Sequence, residues 1–126
     1  MAKLVLKVAS GLALLWSIAI VEGVILNLNY AKPRAVGGQF DSFPLFVRII
    51  YVAVLVLLIV EANILIFKDK SPKNVSVLFF GLNALSAIAN VISRSPAERW
   101  NAIAALVLAY AWWARLRSTK GSLSNQ

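Results

Sequence analysis

The sequence predicts an all-α transmembrane fold, a four-helix antiparallel bundle. Three observations carry that prediction. The 126-residue chain is 60% hydrophobic with a mean hydropathy of +0.79. Only 14% of its residues are charged, against about 25% in an average soluble domain. The polar residues also collect in short stretches, leaving apolar runs each near the ~20 residues that cross a bilayer. This distribution excludes a soluble globular domain, a disordered chain and a large second domain.

The first span is read from about residue 4 to 29, interrupted only by Lys7 and Glu22. It is too long for the apolar core of a signal peptide, and no small-residue cleavage site follows it. It reads as a retained span with Lys3 and Lys7 as its basic flank. Residues 31–42 form the longest loop, punctuated by Pro33 and by Gly37-Gly38. The second span covers about 43–67 and is closed by Lys68-Asp69-Lys70. The third covers 73–93 and the fourth 96–116, so one domain occupies 1–116. Residues 117–126 read as a polar cytoplasmic tail.

Helix starts are written into the chain. Ser95-Pro96-Ala97-Glu98 has the form of a capping box with proline at the first helical position. Ser71-Pro72 repeats the serine-then-proline start, and Asp41-Ser42 ahead of Pro44 offers a similar cap. The connection between the third and fourth spans is so short that the two must be antiparallel neighbours.

Orientation follows from the basic residues on each side. Lys3, Lys7, Lys68, Lys70, Lys73, Arg115, Arg117 and Lys120 fall on one side. Lys32, Arg34, Arg48, Arg94 and Arg99 fall on the other. The positive-inside rule then puts both termini in the cytoplasm, and the plasma (inner) membrane is the expected location. Trp100 and Trp112-Trp113 suit the two aromatic belts, whereas Trp16 lies deeper and reads as a packing residue.

The residue counts also restrict the chemistry. The chain has no cysteine and no histidine, so the usual zinc and haem ligands are missing and thiol redox chemistry is excluded. No cofactor and no metal is expected. The net charge of +8 is explained by lysine and arginine flanking the spans, and nucleic acid is not a partner. Five acids remain for acid–base work: Glu22, Asp41, Glu61, Asp69 and Glu98.

The informative residues are those that hydrocarbon rejects, because an ionisable group within a span is a functional candidate by default. Glu22 and Arg48 fall at similar depth near the outer ends of antiparallel spans, so an interhelical pair is expected. Asn90, Arg94 and Asn101 share that outer level, with Asn27 and Asn29 just above it. Together with the 31–42 loop they describe an outward-facing polar pocket. Glu61 lies nearer the inner side, with Asn83 and Tyr110 as its natural partners. It has no basic partner there, and a carboxyl isolated in hydrocarbon favours its neutral form. Asn83, Ser86, Asn90 and Ser93 recur at helical spacing as one polar stripe.

Each feature has a plain structural reading beside the functional one. Asparagine, serine and small residues hold membrane helices together, and Asn101, Ala105 and Ala109 form such a line. Glu22 with Arg48 reads equally as a clasp or as part of a ligand site. The reading that follows is a small non-enzymatic integral membrane protein, an accessory subunit of a membrane complex or a homo-oligomer. Its partners are the lipid bilayer and other membrane subunits or copies of itself. One alternative is a small proton-coupled transporter or channel using Glu61 and an outer Glu22–Arg48 pair. Another is a protein that binds a lipid or isoprenoid in the outer pocket. Catalytic residues are not expected.

Overall fold

A computed structural model describes residues 2–124, with side chains described as far as Ser118. All regular structure among them is helical. The helices are α1 (Ala2–Ile25), α2 (Leu45–Phe67), α3 (Lys73–Val91), α4 (Pro96–Arg99) and α5 (Asn101–Ser124). Two 3-10 turns, Asn29–Arg34 and Val36–Gly38, occupy the connection between α1 and α2.

Three helices, α1, α2 and α3, are long and apolar enough to cross a membrane. Residues 96–116, expected as a fourth span, fall short of that standard. This stretch opens with Glu98 and Arg99, is rich in alanine and closes near Arg115 and Arg117. α4 and α5 are separated only at Trp100, whose backbone stays helical at φ −64° and ψ −25°. α5 then continues to Ser124, so most of the expected tail is helical. Residues 125 and 126 and the side chain of Lys120 lie outside the described part.

The end of α1 is set by Asn27. Its φ of +58° places it in the left-handed region, where asparagine is the commonest substitute for glycine. The Asn27 amide bonds Val24 O at 3.1 Å and the Leu28 amide bonds Gly23 O at 2.7 Å. That pair of bonds is the Schellman closure, which satisfies carbonyls that the helix itself leaves open.

The helix starts make less use of side-chain caps than the sequence suggests. α2 follows Pro44 and α3 follows Pro72, neither with a side-chain cap. Ser71 pairs instead with the hydroxyl of Ser76 at 2.8 Å. The capping box at 95–98 is not made either. The Ser95 hydroxyl donates to Pro33 O, and Glu98 Oε2 accepts from the Gly37 amide at 2.5 Å. Backbone groups in the α1–α2 connection need partners, and these two side chains supply them.

Packing joins α1 to both α2 and α5, and joins α3 to α5. Ala102, Ala104, Ala105, Ala109 and Ala111 are buried on α5, and small side chains of this kind let helix backbones approach closely. The main core gathers Leu14 and Val21 of α1, Leu58 and Leu65 of α2, Phe79 of α3, and Leu108 and Trp112 of α5. A second, smaller core lies under the α1–α2 connection and contains Ile20, Val24, Ala31, Ala35, Phe43 and Val47.

Candidate functional site

One line of α2, Leu58, Glu61 and Leu65, is buried. Its spacing of three and four residues puts Glu61 on the inward face between two leucines. Ser76, Phe79, Asn83 and Ala87 form the buried line of α3, and Leu108 and Trp112 lie on that of α5. The three lines meet at the Glu61 carboxyl group. Its Oε1 accepts from Asn83 Nδ2 at 2.7 Å and from Trp112 Nε1 at 2.8 Å. Asn83 Nδ2 also donates to Phe79 O at 2.9 Å. The Trp112 indole is fully buried and stacks on Phe79, with centroids 5.0 Å apart and planes 15° from parallel.

A guanidinium closes this cluster from one end. Arg115 lies 5.7 Å from the Trp112 ring centroid and donates to Ile64 O and Leu65 O, each at 3.2 Å, and to Lys68 O. Those carbonyls belong to the last turn and C-cap of α2, where a helix leaves acceptors open; Ile64 O also accepts from the Lys68 amide at 3.1 Å. Tyr110, expected beside Glu61, is not one of its partners. It is exposed, with its ring 5.8 Å from that of Trp113. Trp112 takes the expected place of Tyr110, because it shares the buried line of α5 and Tyr110 does not.

The outer residues make separate contacts. Glu22 is exposed on α1, and no ion pair joins it to Arg48. Among the described residues the one ion pair is Lys7 with Asp69, at 4.0 Å. Arg48 Nε donates instead to Ile25 O at 2.7 Å, so it serves the end of α1 rather than a carboxylate. Asn90 bonds its own helix, to Ser86 O at 2.8 Å. Arg94 is exposed. The expected stripe on α3 also divides: Asn83 and Ser93 are buried, whereas Ser86 is exposed.

Asn101 and Asn27 do connect separate elements. Asn101 Oδ1 accepts from Trp16 Nε1 at 2.8 Å, and its Nδ2 donates to Arg34 O at 2.8 Å. Asn27 Oδ1 accepts from the Phe43 amide at 2.9 Å, and its Nδ2 donates to Ser42 Oγ at 3.0 Å. With Ser95 and Glu98, these bonds strap the α1–α2 connection over the end of the helices. Beneath it lies the smaller core of Ile20, Val24, Ala31, Ala35, Phe43 and Val47.

Among the described residues no three histidine, cysteine, aspartate or glutamate side chains converge. The polar side chains at the centre and at the strap are spent on one another or on backbone groups. Trp112, Arg115 and Glu98 escaped the reading from sequence, which took them for belt, topology and cap residues. The four-residue step from Leu108 to Trp112 is the signal that picks Trp112 over Trp113 as the buried indole. Comparison with known proteins returned no match to this chain, among family models, curated proteins or solved structures.

Proposed function

We propose that this chain is a small integral membrane protein that works by packing, not by catalysis. In this reading α1, α2, α3 and the α4–α5 unit are four antiparallel spans of one bundle with both termini cytoplasmic. The bundle offers its outward faces to other copies of itself or to the subunits of a larger membrane complex.

The observation that carries this reading is the contrast between the inside and the outside of the helices. Leu15, Leu45 and Leu85 are 66%, 69% and 66% exposed, and similar residues cover the outer faces of α1, α2 and α3. A helix that is apolar all round needs lipid or protein on every side. At the centre, Glu61, Asn83 and Trp112 meanwhile point inward and bond one another, which is what a hydrocarbon surrounding demands of polar groups inside a span. The carboxyl group that a proton-coupled carrier would titrate, Glu61, is held by two side chains of neighbouring helices. That supports a structural role for it.

The chain contains no cysteine, so an introduced one reports without background. Val56→Cys on α2 and Leu85→Cys on α3 lie on exposed faces, and Ala87→Cys lies on a buried one. Oxidative or photochemical cross-linking in native membranes is expected to give a discrete product from an exposed position and none from Ala87→Cys. A lone chain in native mass spectra of gently solubilised membranes, with no discrete cross-link, would refute the packing reading. Proton or solute flux in liposomes that Glu61→Gln abolishes would establish the transport reading in its place.

A further inference from the structure

We infer that a pocket at the N-terminal end of α1 binds the phosphate-bearing headgroup of an anionic lipid. The pocket has a volume of about 390 Å³ and lies between α1, the C-terminal end of α2 and α5. That volume falls within the roughly 300–1,000 Å³ of small-molecule sites. Lys3, Lys7 and Arg115 line it with Asp69 as the sole carboxylate, so cations exceed anions among its lining groups.

The available donors suit a phosphate group. Arg115 is committed to the α2 carbonyls, so it adds positive field rather than a free fork. Lys3 is exposed and extends from the first turn of α1. Lys7 meets Asp69 only at 4.0 Å, and the Asp69 side chain is 96% exposed. Such a pair contributes little and yields readily to a stronger anion. Ser10 is the most telling residue. It is 2% exposed, lines the pocket and makes no side-chain hydrogen bond to another described residue. A hydroxyl that lines a basic pocket is placed to donate to an entering oxygen.

A lipid fits better than a free anion because much of the lining is apolar. Leu4, Leu6, Leu65, Ala111 and Ala114 share the lining with the lysines, so a headgroup held there has apolar surface beside it for an acyl chain. The inference rests on the membrane reading above, which places this end of the helices at the headgroup level of the cytoplasmic leaflet.

The test uses the full chain purified in neutral detergent and native mass spectrometry of retained lipid. Phosphatidylglycerol, phosphatidylcholine and inorganic phosphate are the probes. One phosphatidylglycerol is expected to remain bound in preference to phosphatidylcholine, and excess inorganic phosphate is expected not to displace it. Lys3→Ala with Lys7→Ala is expected to weaken retention about thirtyfold, the order for losing two cations beside a headgroup. Ser10→Ala is expected to weaken it several-fold, whereas Lys73→Ala, outside the pocket, leaves it unchanged. Equal retention of the two lipids, displacement by phosphate, or indifference to the lysine pair would each overturn the site. Carbonate washing of cell membranes separates the two failures: release of the chain refutes the membrane reading itself. A chain that resists the wash yet retains both lipids equally refutes only the headgroup site.

Discussion

The indole N–H of Trp112 lies 2.8 Å from Oε1 of Glu61, joining α5 to α2. Asn83 of α3 donates to the same oxygen at 2.7 Å, so one carboxyl oxygen ties three helices. Trp112→Phe keeps a ring against Phe79 but removes one donor, and is expected to cost about 1–2 kcal/mol. Glu61→Ala leaves two buried donors without an acceptor and opens a space, at about 2–4 kcal/mol. Glu61→Gln keeps a carbonyl oxygen and is expected to cost least. In thermal unfolding in detergent, Glu61→Ala combined with Trp112→Phe should lose less than the sum of the single changes. Strict additivity would mean that the bond contributes nothing.

Three arginines finish helices. Arg48 donates to Ile25 O at the end of α1, Arg115 to carbonyls at the end of α2, and Arg99 to Ser93 O just beyond α3. A cation at a helix C-terminus pairs with open carbonyls and with the negative end of the dipole. Arg115 serves the most carbonyls, so Arg115→Gln is expected to be the costliest of the three, at about 1–3 kcal/mol. Arg115→Lys should recover little of that, because an ammonium lacks the planar fork that reaches several acceptors. Hydrogen exchange of amides in the last turn of α2 reports the loss directly. Protection there that survives Arg115→Gln would refute the capping role.

Glu22 and Arg48 are independent by the same geometry. Glu22 is exposed and Arg48 is committed to a backbone carbonyl. Glu22→Gln is expected to change stability by no more than about 0.5 kcal/mol. Glu22→Gln combined with Arg48→Gln should equal the sum of the single effects. A coupling of about 0.5 kcal/mol or more would mean that the two side chains do meet.

The contrast between these pairs shows what a sequence can carry. Depth along a helix is readable, since each residue adds a fixed rise. Glu61 and Asn83 fall at matching levels, and they meet. Glu22 and Arg48 also fall at matching levels, but level does not fix which way a side chain points around the helix. Glu22 shares the exposed side of α1 with Leu15 and Leu26. The arginine partners were unreadable for another reason: backbone carbonyls carry no residue identity, so no side-chain pattern announces them. Serine and glutamate at 95 and 98 matched a local cap, yet the distant Pro33 and Gly37 backbone groups won them. Local pattern cannot weigh that competition. The weak apolarity of 96–116 was legible in its arginines and alanines, and the lengths of the runs masked it.

Gly23 and Gly81 offer the sharpest test of the strapped connection. A Cβ on Gly23 would lie 2.7 Å from Ala31 Cβ and 2.8 Å from Cζ of Tyr30. Neither neighbour gives way easily. Ala31 is fully buried, and the Tyr30 hydroxyl is held by Ala19 O at 2.6 Å. Gly23→Ala must therefore push the 3-10 turn at Asn29–Arg34 away from α1, at an expected cost of about 1–3 kcal/mol. The displaced turn should be cut faster in limited proteolysis between residues 29 and 44. Gly81 lies inside α3 with nothing within 4 Å of its added Cβ. Gly81→Ala should therefore leave the cleavage rate unchanged and raise stability by up to about 1 kcal/mol through helix propensity. Equal behaviour of the two variants would show that the connection is not seated on α1 at Gly23.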